Sequence, residues 1–235
     1  MKETIYSYED LLNMLDHLLE EERQFNWNDF YSDRGRKVPF FRNLPDENLV
    51  SYFESEKLKP GRVLEFGCGP GRNAIYLSKI GFTVDAVDQS AEGLRWGKDR
   101  ANKQNVQVNF IESNIFDLSL EENAYDLVYD SGCFHHIPPH RRMNYIELVF
   151  RALKPGGHFA LTCFVEGGEL GGASMSDWDV YRERSMRGGL GFTEKKLRET
   201  FNGLEAMEIR KMIEKTPDQG VFGTSALMAA LFRKK

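Results

Sequence analysis

Hydrophobic and polar positions change period more than once along this chain, and the changes divide it into regions. Over residues 8–23 (YEDLLNMLDHLLEEER), Leu11, Leu12, Leu15, Leu18 and Leu19 recur at helical spacing with acids between them. That spacing predicts an amphipathic helix. An aromatic, turn-rich stretch follows, carrying Phe25, Trp27, Phe30, Tyr31, Pro39, Phe40 and Phe41. Residues 49–56 read as a short helix, which Pro60-Gly61 stops.

From Arg62 the pattern alternates. Strands are predicted over 62–66 (RVLEF), 83–87 (TVDAV), 107–111 (QVNFI), 125–130 (YDLVYD) and 157–164 (GHFALTCF). Helical patterns fall between them, near 71–80, 90–103 and 139–153. Crossover-length helices between strands imply a parallel sheet covered on both faces. The end differs. A helix is predicted over 193–202 with Thr193 as its N-cap, followed by β-rich runs at 205–213 and 225–233. Two successive strands cannot both be parallel without a helix between them, so one returns antiparallel. The glycine-rich stretch 166–172 (EGGELGG) reads as a mobile loop.

Composition narrows the classes. The chain has 235 residues, 41% hydrophobic and 29% charged, enough for one domain with a proper core. No apolar run approaches the ~20 residues that a bilayer crossing needs, and the acidic first residues lack the apolar core of a signal peptide. The expected location is therefore cytoplasmic, with no membrane partner. A net charge of -5 argues against nucleic acid as a partner, because phosphate neutralisation calls for a basic face. Cys68, Cys133 and Cys163 share no metal or redox spacing and read as free thiols.

The strongest chemical signal is Val63-Leu64-Glu65-Phe66-Gly67-Cys68-Gly69-Pro70-Gly71-Arg72-Asn73-Ala74, a strand entering a glycine-rich turn that opens a helix. Glycines there allow a tight turn and close approach of a ligand to the backbone. By itself such a loop also fits dinucleotide enzymes. Here Glu65 precedes the first glycine by two positions, and Asp88 ends the next strand 19 residues after Gly69. An acid at that place can accept both ribose hydroxyls. The third strand ends in Ser113-Asn114-Ile115 and the fourth in Asp130-Ser131-Gly132.

Together, EFGCGPG, VDQS, YDLVYD and the post-helix ALKPGG (152–157) resemble the class I S-adenosylmethionine-dependent methyltransferase family. The resemblance implies a Rossmann-like, doubly wound α/β fold: a mostly parallel seven-stranded sheet with an antiparallel last strand, under an N-terminal helical and aromatic cap. It divides the chain into a cap (1–57), a cofactor-binding core (58–164), a substrate-loop insertion (165–192) and a C-terminal helix and strand pair (193–235). It implies S-adenosylmethionine as cofactor, with Gly67, Cys68, Gly69 and Gly71 under its methionine part and Glu65 at its amino group. By the same resemblance Asp88 holds the ribose, Gln89 lies beside the adenine, Asn114 and Ile115 bind the adenine, and Asp130 lies near the methionine end. Glu65 stands where the family often has Asp, and so does Asn114; both keep an acceptor.

A second resemblance, carried by the Pro-Phe pair ahead of the glycine loop and by GRNAIYLSKIGFTVDAVD, is to the thiopurine and tellurite-resistance branch. It implies a lid over the cofactor drawn from Trp27, Phe30, Tyr31, Phe40 and Phe41, with Trp27 and Tyr31 on the substrate side. Residues 165–192 occupy a frequent substrate-loop position, which makes Trp178, Tyr181 and Arg182 further substrate-side candidates.

No catalytic residue is assigned. His135, His136 and His140 in FHHIPPH lack the i, i+4 spacing of a helical zinc pair, and no metal is expected. His135 or His136 as a general base competes with a packing role. The absence of an obvious base favours a soft acceptor such as a thiol, which ionises with little help. Asp130-Ser131-Gly132-Cys133-Phe134 departs from the Asn/Asp-Pro-Pro-aromatic motif of amino methyltransferases that act on adenine, and this favours a small-molecule acceptor. The alternatives are a non-catalytic cofactor-binding module, a protein methyltransferase and a nicotinamide-dependent oxidoreductase.

Overall fold

The computed structural model describes residues 4–19 and 25–235. Helix α1 (Tyr8–Leu18) starts behind Ser7, whose side chain accepts the Asp10 N–H. The expected continuation through residues 20–23 lies outside the described residues. The cap is completed by α2 (Trp27–Ser32), a 3-10 turn at Pro39–Phe41 and α3 (Glu47–Glu54).

The alternating region forms β1 (Arg62–Phe66), α4 (Arg72–Lys79), β2 (Thr83–Asp88), α5 (Ala91–Lys103), β3 (Asn109–Glu112), β4 (Tyr125–Ser131), α6 (Arg142–Ala152) and β5 (Leu153–Phe164). Strand β3 begins two residues later than the alternation suggested. Strand β5 begins earlier, because Leu153 pairs with Tyr125 before a bulge shifts the register to Leu127 opposite His158. Helix α7 (Asp177–Glu183), α8 (Glu194–Thr200), β6 (Glu205–Lys211) and β7 (Leu227–Arg233) complete the chain. Thr193 caps α8 as expected, accepting the Lys196 N–H.

Among the described residues seven strands form one sheet, in the order β3-β2-β1-β4-β5-β7-β6. Strand β7 inserts between β5 and β6 and runs antiparallel to both, while the other neighbours are parallel. The fold is the Rossmann-like α/β arrangement that the motifs implied. Alternate residues of the central strands feed two apolar layers. Leu64, Phe66, Val128 and Phe159 pack toward Tyr145 and Phe201 on one face, and Val63, Leu127 and Ala160 pack toward Leu49, Tyr52 and Leu77 on the other. Burial on both faces explains why these strands read as near-continuous apolar runs. No helix among the described residues is long and apolar enough to cross a membrane.

Residues 165–192 differ from expectation. Bridges join Val165 to Phe192 and Ala173 to Leu190, and Lys196 Nζ pairs with Glu166 at 2.7 Å. The glycines serve close backbone approach. A Cβ on Gly191 would lie 2.3 Å from the Glu166 Cα, so this segment is laced to the core rather than hanging free.

Candidate functional site

The order of the sheet reverses between β1 and β4, and a doubly wound sheet places its ligand crevice there, beyond the carboxyl ends of the strands. A cavity of about 1500 Å³ opens at that place, walled by the glycine loop, the tips of β2 and β4, and the cap. It exceeds the ~300–1,000 Å³ usual for one small ligand, so it has room for a cofactor and an acceptor together.

Glu65, Gly67, Cys68, Gly69, Asp88, Gln89, Asn114 and Ile115 all line this cavity, from sequence positions 50 residues apart. Asp88 is anchored by the glycine turn itself: its Oδ2 accepts Gly69 N–H at 2.7 Å and its Oδ1 accepts Ser90 N–H at 2.8 Å. Burial raises its carboxyl above the ordinary range, against the opposing pull of those N–H donors. Glu65 is 2% exposed, and its Oε2 is buried without a hydrogen-bond partner. Burial pushes its carboxyl well up, opposed by the Arg72 guanidinium. An orphaned carboxylate in a cavity wall fits a cationic ligand group such as the ammonium of S-adenosylmethionine. Asn114 Oδ1 accepts Phe116 N–H at 3.0 Å and so caps the following turn.

Two expected cofactor residues stand outside the cavity wall. Asp130 is fully buried and turned inward, accepting Tyr145 O–H at 2.6 Å and Cys133 N–H at 2.9 Å. Burial pushes its carboxyl up to about 6. Gly71 adopts φ 72° and starts α4, but a Cβ there would meet the Phe110 ring at 2.8 Å, so its smallness serves helix–sheet packing. The β4 tip is instead represented in the cavity by Ser131, Gly132 and Cys133.

The cap supplies the opposite wall. Trp27, Phe30, Tyr31 and Phe40 line the cavity; Phe41 lies behind them, stacked on Tyr31 at 5.8 Å. Tyr31 reaches the glycine turn: a Cβ on Gly69 would lie 2.6 Å from its hydroxyl. Burial, then the charge of Asp88, keeps the Tyr31 phenol well above its ordinary range, so it stays protonated. Asn28 fastens this wall to the core, and its Oδ1 accepts Ser90 O–H at 2.9 Å and Glu92 N–H at 3.1 Å.

The substrate-side candidates on α7 are not brought to the cavity. Trp178 is 76% exposed, Arg182 pairs with Asp179 at 3.2 Å on the surface, and the Tyr181 hydroxyl is engaged by His140 at 2.9 Å. The capping box at Ser176 starts a helix whose aromatic and basic side chains serve surface and packing roles. The same insertion does contribute Leu170, Met186 and Gly188 to the wall.

The three histidines diverge. His135 lines the cavity, stacks on Phe164 at 3.7 Å and accepts Phe164 N–H on Nδ1. Burial, with His136 adding, lowers its pKa well below the ordinary value. Its acceptor nitrogen is committed and the other carries the proton, which argues against a general base. His136 lines the cavity against the Trp27 edge. His140 stands behind the wall, its Nε2 2.9 Å from Asp16, which does line the cavity.

Arg72 escaped assignment from sequence. It lines the cavity, 8% exposed, and pairs with Asp46 at 2.6 Å. Asn73 and Tyr129 also bind Asp46, which diverts this N-cap carboxylate from α3. A signal was present: a cation in the first turn of a helix opposes the helix dipole and calls for a specific partner.

Residues 63–157 match the methyltransferase domain family model. An uncharacterised methyltransferase of Synechocystis is 36% identical over 122 residues, 52% of each chain. A 2-heptyl-1-hydroxyquinolin-4(1H)-one methyltransferase of Mycobacteroides abscessus is 26% identical over 54% of this chain and 56% of its own. The matched segment thus spans about half the length of these curated relatives. Among solved structures, TehB of Haemophilus influenzae superposes with TM-score 0.60 at 21% identity, covering 80% of this chain and 62% of TehB. A structure described for conversion of a disulfide bond into a thioacetal group during echinomycin biosynthesis superposes with TM-score 0.65 at 20% identity, covering 85% of each chain. These likenesses show a methyltransferase domain over residues 63–157, set in a Rossmann-like fold shared with TehB, and the glycine turn and the acids at the first two strand tips fit S-adenosylmethionine as its cofactor.

Proposed function

We propose that the protein transfers the methyl group of S-adenosylmethionine to a small-molecule acceptor bearing a thiol or another soft nucleophile. The observation that carries this reading is the composition of the large cavity. One wall has Glu65, Asp88 and the glycine turn; the other has Trp27, Phe30, Phe164, Met186 and Leu227. The sulfonium supplies an activated methyl group, so the chain's task is to align the acceptor and exclude water. Glu65 and Asp88 fix the polar ends of the cofactor, while Tyr31 and Trp27 close over the reacting space. His135, neutral and spent on Phe164, is no base, which favours an acceptor that needs little deprotonation. The relative that acts on a hydroxyquinolone lends support to a small acceptor. The acidic net charge supports the absence of a nucleic acid or membrane partner. Free Cys68, Cys133 and Cys163 are compatible with the reducing cytoplasm.

Incubating the protein with labelled S-adenosylmethionine and a panel of small thiols, phenols and amines tests the reading. Label in a small product, fastest with thiols, is expected. Cofactor binding without transfer to any of them would favour a non-catalytic module, and label on protein would favour a protein acceptor.

A further inference from the structure

A second cavity, of about 230 Å³, adjoins the large one, and Pro39, Leu170 and Phe222 line both. These shared side chains are apolar, so the junction suits an alkyl or aromatic stretch of a ligand rather than a charged one. Phe222 is fixed by its backbone. Its N–H donates to the Pro45 carbonyl at 2.7 Å, and its carbonyl accepts the Glu47 N–H at 2.8 Å. Leu170 stands in a short glycine hairpin closed by the Gly168–Gly171 bridge, and it is 44% exposed. Beyond the junction the chemistry changes. Arg42 and Lys215 line the smaller cavity, and neither has an ion-pair partner among the described residues. Glu214 lines it too, but its Oε2 already accepts the Ser225 N–H at 2.8 Å. The Thr224 hydroxyl oxygen accepts the Ala226 N–H at 3.4 Å and keeps its own proton to donate.

Two cations and a hydroxyl donor therefore stand past an apolar junction, next to a cavity with room for an acceptor. Resting on the reading that the large cavity holds an acceptor beside S-adenosylmethionine, we propose that this acceptor is an elongated, amphipathic molecule with an anionic far end. Its nucleophile lies in the large cavity, and an apolar stretch crosses between Leu170 and Phe222. A terminal carboxylate or phosphate then meets Arg42, Lys215 and Thr224. The planar guanidinium matches two oxygens of such a group, and the ammonium adds a point charge. A compact acceptor would occupy the large cavity alone and gain nothing from the second.

Calorimetry on the protein saturated with S-adenosylhomocysteine reads this site without any methyl transfer. The probes are unreactive linear alkanoates and alkyl phosphates of increasing length, each against the alkanol of equal length. Short pairs are expected to bind alike, and longer anions to bind about fivefold tighter than their alcohols, the scale of two partly solvated ion pairs. The phosphate and carboxylate series show which anion fits better. The double variant Arg42→Gln, Lys215→Gln should erase the preference while leaving alkanol affinity and S-adenosylmethionine affinity unchanged. Raised salt should weaken the preference in the native protein. With ω-mercaptoalkanoates as acceptors the same preference should appear in KM, with kcat little changed. Equal affinity for anion and alcohol at every length would overturn the proposal, and so would a preference that survives in the double variant. A length-dependent preference with no methylation of any acceptor would support the anion site and sink the transfer reading instead.

Discussion

The Oδ1 of Asn28 accepts the hydroxyl of Ser90 at 2.9 Å, and the same Ser90 oxygen accepts the Gly93 N–H at 3.1 Å. One hydroxyl thus caps α5 and holds the N-terminal cap to the strand tip that bears Asp88. Removing the cap's acceptor leaves Ser90 and Glu92 each short of a partner. Asn28→Ala is expected to cost about 1 kcal/mol and to raise amide exchange in α2 before the sheet. Cofactor dissociation should quicken with it. Unchanged exchange in α2 would show that the aromatic contacts alone hold the cap.

Glu65 makes cofactor binding a proton-linked event. In the free protein burial raises its carboxyl well above the usual range, so the group carries a proton to higher pH than a solvated glutamate. A bound ammonium favours the ionised form, so binding releases that proton. Affinity should rise with pH through the raised Glu65 pKa and level off above it. Calorimetry in buffers of different ionisation enthalpy measures the release directly. Glu65→Gln should bind more weakly at neutral pH and lose the dependence; a retained slope would assign the proton to another group.

Gly69 and Tyr31 exclude each other's neighbours. A side chain at 69 would press on the Tyr31 hydroxyl, and Gly69 sits at φ +48° in the left-handed region. Gly69→Val is expected to abolish cofactor binding, both through the ligand's space and by displacing the cap. Tyr31→Ala, which relieves the contact without straining the loop, should leave the sheet folded and weaken binding roughly tenfold by opening the lid. If Gly69→Val with Tyr31→Ala recovers cap docking but no binding, the two effects are separated.

Asp130 stores a pH dependence of stability rather than of binding. Its carboxyl is raised to about 6 from the ordinary 3.8, because burial outweighs the Tyr145 and backbone donors. The folded state binds its proton more tightly than the unfolded chain, so the stabilising contribution is full below pH 3.8 and is lost as pH rises through about 6. Denaturant titrations across that window should show this slope in the native protein. Asp130→Asn should flatten it while leaving cofactor affinity nearly unchanged, since Asp130 does not line the cavity.

Much of the architecture was readable because parallel strands buried on both faces announce themselves as apolar runs, and because the glycine turn at 67–71 needs its residue types. Thr193 and the β-rich runs after it were equally plain. The site was legible where a backbone end fixes the side chain, as at Glu65 and Asp88. It was not legible where rotamers decide. Asp130 sits at a strand tip as Ser131 does, and only packing against Tyr145 turns one in while the next faces the cavity. Trp178, Tyr181 and Arg182 carried suggestive chemistry on a segment whose approach to the core depends on the glycine contacts of Gly172 and Gly191. Arg72 lies inside the glycine-turn motif of residues 63–74, but its partner Asp46 is 26 residues upstream, a distance no local pattern spans.

The insertion of β7 between β5 and β6 bears on how this molecule comes to exist in the cell. As the ribosome delivers the chain, β6 emerges with no neighbour to join, since the place beside β5 belongs to a segment still to be synthesised. The growing polypeptide must keep both exposed edges from pairing elsewhere until residues 227–233 arrive and zip them together. A nascent chain stalled before that point would hold its glycine turn and yet lack a finished sheet to support it.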